Sequence, residues 1–169
     1  MRRALVTIAV LLAIVLLAPS AEAHFLWHPD ARHDTPTPDL AGDLVDVRLS
    51  TFRHAGAKML RAKADFADPK ADYHVAFLFD SRGGWRADFK LRVAWDRASG
   101  GIHAMSLVRL SDHSTVDVTL HPSGKAVLKL PVWFEMGALH RTRHIRWRVI
   151  TRFGDTRYDQ APDVGWFAH

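Results

Sequence analysis

In His144-Ile145-Arg146-Trp147-Arg148-Val149-Ile150-Thr151-Arg152-Phe153, basic and apolar residues alternate at period two from His144 to Val149. Successive side chains of a strand point to opposite faces. Ile145, Trp147 and Val149 therefore share one face, and His144, Arg146, Arg148 and Arg152 share the other. One face belongs to a core and the other is basic. The basic face has two readings. It is either a solvated surface whose Arg residues pair with Asp on a neighbouring strand, or a surface for an anionic partner.

The same short-period pattern recurs outward from this stretch. Leu44-Val45-Asp46-Val47-Arg48-Leu49 alternates, and Leu60, Ala62, Ala64 and Phe66 do so across 59–66. Further apolar runs lie at 73–79, 89–95, 102–110, 115–120 and 126–134. Asp68-Pro69, Asp80-Ser81-Arg82-Gly83-Gly84, Ser99-Gly100-Gly101, Ser111-Asp112-His113-Ser114, His121-Pro122-Ser123-Gly124 and Gly154-Asp155 separate them with turn chemistry. Short strands at this spacing predict an all-β fold, an immunoglobulin-like antiparallel β-sandwich over 44–169. No sustained period near 3.6 follows the first segment, and a chain with two Glu is poor in a favoured helix former.

The first segment reads as an address. Met1-Arg2-Arg3 is a basic head, 4–18 is apolar, Pro19 ends the run, and Ala21-Glu22-Ala23 places small residues where a signal peptidase reads them. A cleaved signal peptide at 1–23 is expected, and with it a secreted or periplasmic protein. Residues 24–43 hold Pro29, Pro36 and Pro38 and are expected to form an arm.

Composition excludes several chemistries. The chain has 169 residues and no Cys, so it has no disulfide, thiol nucleophile or Cys-ligated metal. It has no Asn, so no N-linked glycan is possible. Formal charge is +5 with His neutral, yet a secreted chain without a reader motif is not expected to bind nucleic acid. No carboxylate pair stands out for glycoside hydrolysis and no G-x-S-x-G elbow is present, so a conventional hydrolase is not expected.

Two chemistries remain. Sugars present flat C–H faces that stack on exposed aromatic rings, and hydroxyls that polar side chains reach. Gly83-Gly84-Trp85-Arg86 places a Trp at a turn. Tyr158-Asp159-Gln160 and Gly165-Trp166-Phe167 gather three aromatics around the only Gln. The alternative is that Trp85 and Trp166 cap the ends of the core. Trp133 and Trp147 are expected inside it.

The second chemistry rests on His24, the first residue after the expected cleavage. An α-amine, with a reference pKa of about 7.7–8.0, lies one chelate ring from its own imidazole, and a second imidazole would complete a three-nitrogen copper site. His28 and His113 are candidates for that second ligand, as are His33, His74, His103, His140 and His144. The arrangement resembles the histidine brace of lytic polysaccharide monooxygenases and of periplasmic copper-binding proteins. That resemblance implies copper and, if the chain is an enzyme, a copper-dependent oxidoreductase.

A second resemblance covers 60–167. Leu60, the stretch 75–79, Asp80 followed by Trp85, and Ala94-Trp95 are similar to the first half of the starch- and glycogen-binding modules of carbohydrate-binding module family twenty-one. Residues 145–150, Gly154, Tyr158, Asp159, Gln160, Gly165 and Phe167 are similar to its second half, with Gln160 and Ala161 standing where the family carries paired Asn. The resemblance implies a non-catalytic carbohydrate-binding module. Trp85, Tyr158 and Phe167 would stack, Asp159 and Gln160 would supply polar contacts, and Trp166 would lie among them. A polysaccharide is the partner so implied.

Overall fold

In the computed structural model the described residues are 25–29, 43–66, 73–96, 98–99, 101–122, 129–140, 144–153 and 156–169. They form strands β1 (Phe25–Pro29), β2 (Leu44–His54), β3 (Ala57–Phe66), β4 (Tyr73–Asp80), β5 (Phe89–Asp96), β6 (Gly101–Arg109), β7 (His121–Pro122), β8 (Lys129–Glu135), β9 (Arg146–Phe153), β10 (Thr156–Ala161) and β11 (Phe167–Ala168). A 3-10 turn spans Met136–Leu139. The chain is thus all-β among its described residues, and no helix there is long and apolar enough to cross a membrane. The expected signal segment and most of the expected arm lie outside the described residues. The described part of that arm is β1, paired antiparallel with β2 from Phe25↔Ser50 to Pro29↔Asp46.

Two antiparallel sheets face each other. The first runs β1-β2-β3-β8-β7, the second β10-β9-β4-β5-β6, with β11 also on β9. The core draws on both. Val47, Leu49, Leu60, Ala62, Val132 and Phe134 come from the first sheet and Val75, Phe77, Leu91, Val93, Trp147 and Val149 from the second, all fully buried. Phe79 meets Phe134 edge-on across the interface, ring centroids 6.2 Å apart. These residues alternate along their strands, which is why each sheet has one apolar face to bury. The architecture is β-sandwich-like.

Three departures from the sequence reading have physical causes. β2 and β3 run on to a tight hairpin at Ala55-Gly56, where both residues adopt positive φ (48° and 83°). Two left-handed residues match the twist of the flanking strands, and Asn-Gly is their usual signature; a chain with no Asn does not carry it. The stretch 115–120 forms no ladder. It makes one bridge, Val108↔Thr115, and then crosses between the sheets with Val116, Val118 and Leu120 packed on the core. Its period-two pattern is real but records a crossover. Trp133, expected inside, lies on the outer face of β8, because Val132 and Phe134 on either side of it are the buried pair.

Candidate functional site

Three of the sequence candidates, Trp85, Gln160 and Trp166, lie on or beside the outer face of the second sheet. Register sets the layout. Across β9, β4 and β5 the rows are Arg146–Asp80, Arg148–Leu78–Lys90, Ile150–Ala76–Arg92 and Arg152–His74–Ala94. Directly paired residues of antiparallel strands share a face. The intervening residues, such as Phe77, Leu91 and Val149, are buried, so these rows face outward.

At one end of the face the β4–β5 loop is built around two carboxylates. Asp80 is fully buried and accepts the amides of Gly83 (2.6 Å), Gly84 (3.2 Å) and Trp85 (2.8 Å). Asp88 accepts the Ser81 amide, the Ser81 hydroxyl and the Arg82 amide at 2.9, 3.1 and 2.9 Å. A carboxylate that gathers successive amides organises a turn without needing hydrophobic packing. The loop holds Trp85 at φ 60°, with 62% of the residue exposed. Trp85 therefore does not cap the core. The Arg146 guanidinium lies 3.7 Å from its ring centroid and donates to Asp80 and to the Gly83 carbonyl, both at 3.4 Å. Arg146 thus pairs with an Asp on the neighbouring strand, as one of the two readings of the basic face expected.

Trp166 comes to the same face from the turn between β10 and β11. Arg148 lies 4.7 Å over its ring. Arg146 and Arg148 are two residues apart on β9, about 7 Å along the strand. Trp85 and Trp166 are therefore brought to neighbouring guanidinium groups on one face.

The other aromatic and polar candidates divide. Phe167 turns inward: it pairs with Trp147 in register, and the two rings meet at 4.7 Å, so it packs on the core. Asp159 also points inward. It is buried, and its carboxylate accepts the Leu44 amide of β2 and the Gln160 amide, each at 2.7 Å. It ties the second sheet to the first. Asp159→Ala is expected to lower unfolding stability by about 1–3 kcal/mol, because the Leu44 amide loses its acceptor. A wild-type urea midpoint for that variant would show that Asp159 does not latch the sheets together. Gln160 is on the outer face, but its Nε2 donates to the Asp163 carbonyl and closes the turn before Trp166. Its Oε1 accepts nothing among the described residues. The Tyr158 side chain lies outside the described residues.

A site not foreseen from the sequence lies on the outer face of the first sheet. Trp133 there is stacked by His121, centroids 3.8 Å apart and planes 10° apart, with His54 edge-on at 5.2 Å. Together with Asp117, Thr119 and Glu135 they line an open groove of about 410 Å³. The legible signal was the period-two register of 132–134, hidden because all three residues are apolar.

The metal candidates are not gathered by the described residues. His24 lies outside them, as does the His28 side chain. The backbone of His28 is on β1, at one edge of the first sheet. His113 is exposed in the turn after β6, at the edge of the second sheet. β10 packs on β2 through Asp159, so β1 and β6 lie at opposite sides of the stack. In the His113 turn, the Ser114 hydroxyl and amide hold the Asp112 carboxyl down to about 2. Among the described residues no group of three or more His, Asp or Glu is placed to hold a metal ion. Comparison with protein-family models, curated proteins and solved structures finds no match for this chain.

Proposed function

We propose that the protein is a secreted or periplasmic, non-catalytic carbohydrate-binding module of immunoglobulin-like sandwich form, and that it reads polysaccharide on the outer face of its second sheet. The observation that carries the reading is the exposed Trp85 indole, held at positive φ by the Asp80 turn and backed by Arg146. An aromatic ring fixed before the ligand arrives stacks on a sugar without paying for its own ordering. Trp166, on the adjacent guanidinium, extends the surface along β9. Asp159 and Phe167 support the fold behind it.

Affinity electrophoresis through gels containing starch, glycogen, dextran and other glycans tests the reading. Trp85→Ala is expected to weaken retention by about 2 kcal/mol, roughly thirtyfold in Kd, at an unchanged unfolding midpoint. If none of these polysaccharides retards the wild-type protein, the reading is wrong.

A further inference from the structure

We propose that the polysaccharide this face takes is anionic, its carboxylate or sulfate groups seated in a cationic trough along β4; this rests on the carbohydrate reading above. The floor of the trough is the outer row of β4, His74, Ala76 and Leu78. One wall is β5, with Lys90 and Arg92. The other is β9, with Arg148 and Arg152. Strands lie about 4.8 Å apart, so the walls stand about 10 Å apart, and the six residue rises from His74 to the Asp80–Arg146 row give a length of about 20 Å. An extended chain molecule fits those dimensions better than a compact solute does. Trp85 stands at one end and Trp166 beside the β9 wall, so rings for stacking border the charges for pairing.

The floor is apolar yet covered. Ala76, Leu78, Ala94 and Ile150 point outward but are only 7–8% exposed. Long cationic side chains commonly lay their stems over such residues and keep their heads in water. Arg92 and Arg152 are exposed and Lys90 is half-buried. Among the described residues no carboxylate comes within ion-pair distance of these three groups. Other strand cations do pair: Arg48 with Asp46 at 2.7 Å and Lys63 with Asp65 at 2.8 Å on the first sheet, and Arg146 with Asp80 at 3.4 Å on the second. Burial and then the charges of Arg92 and Arg152 hold the Lys90 ammonium below its usual range. Like charges gathered without a partner raise the free energy of the unliganded face, and an anion laid between them relieves it. A neutral glycan would leave that repulsion in place.

Dextran and dextran sulfate share a backbone and differ in charge, which makes them the probes. Tryptophan-fluorescence titration is expected to show dextran sulfate binding at least about tenfold more tightly than dextran. Its affinity should fall between about 0.05 and 0.3 M NaCl as the Debye length shortens. The double variant Arg92→Ala/Arg152→Ala should lose that advantage. Arg92→Gln/Arg152→Gln, which keeps side-chain stems over the floor, should lose it equally. Arg53→Ala/Lys58→Ala removes the same charge from exposed positions on the first sheet and should keep it. Trp85→Ala should weaken dextran sulfate binding as well. Equal affinity for both dextrans, lost in Trp85→Ala, would overturn the anionic class and leave the carbohydrate reading standing. Inorganic polyphosphate matching dextran sulfate, with no effect of Trp85→Ala on either, would overturn both. So would a wild-type protein that binds neither dextran.

Discussion

Trp147→Ala is expected to lower the unfolding free energy by about 3–5 kcal/mol, the largest loss of any single substitution considered for this fold. Trp147 is fully buried near the start of β9. It pairs in register with Phe79 on one side and Phe167 on the other, and its ring meets Phe167 at 4.7 Å. Truncation removes the transfer energy of an indole and leaves a cavity that two paired sheets cannot close by moving, because each strand is held by its neighbours. A domain of this size has about 5–15 kcal/mol in total, so the variant should sit close to its own unfolding threshold. Trp147→Phe, which keeps a ring, should lose less than half as much. Urea denaturation of the two variants checks this; a loss below about 1 kcal/mol for Trp147→Ala would contradict the packing described.

Asp80→Ala should cost about 3 kcal/mol and also abolish the polysaccharide binding proposed for this face. One fully buried carboxylate accepts three loop amides and the Arg146 guanidinium. Removing it takes an acceptor from four donors and leaves a partly covered cation without its carboxylate. The alanine variant therefore loses stability and lets the Trp85 loop go. Asp80→Asn keeps an acceptor oxygen but no charge, so it should fall between the two. Denaturant midpoints and gel retention, measured on the same samples, separate the effects. An Asp80→Ala protein that stays folded and binds like wild type would show that the loop does not depend on this turn.

The strand pattern was readable wherever one face of a strand is apolar and the other is not. The stretch 144–149 alternates cleanly, and the strand expected over 144–153 forms as β9 from Arg146 to Phe153. Reading failed where that contrast vanishes. In Val132-Trp133-Phe134 every residue is apolar, so the register of β8 could not be read and Trp133 was assigned to the core. It also failed at β10, where Asp159 looks like a ligand group in the sequence but is turned inward to accept the Leu44 amide across the stack. A contact 115 residues away leaves no local trace. Trp85 was legible because Gly83-Gly84 marks the turn that exposes it, whereas the carboxylates that hold the turn resemble ordinary loop residues. The trough combines residues from three strands, and only its β9 wall could be seen as a basic face in one segment.

Strand β1 forms the rim of the first sheet. Its five residues pair with β2 along Asp46 to Ser50, where β2 would otherwise present free amides and carbonyls at the rim of the sheet. A bare, alternating strand of eleven residues is a template for a second copy of the same chain. β1 thus occupies the seat that another molecule would take. The arm covers five of the eleven residues of β2 and leaves the short β1 as the outermost strand there, a smaller template for edge-to-edge pairing than β2 alone.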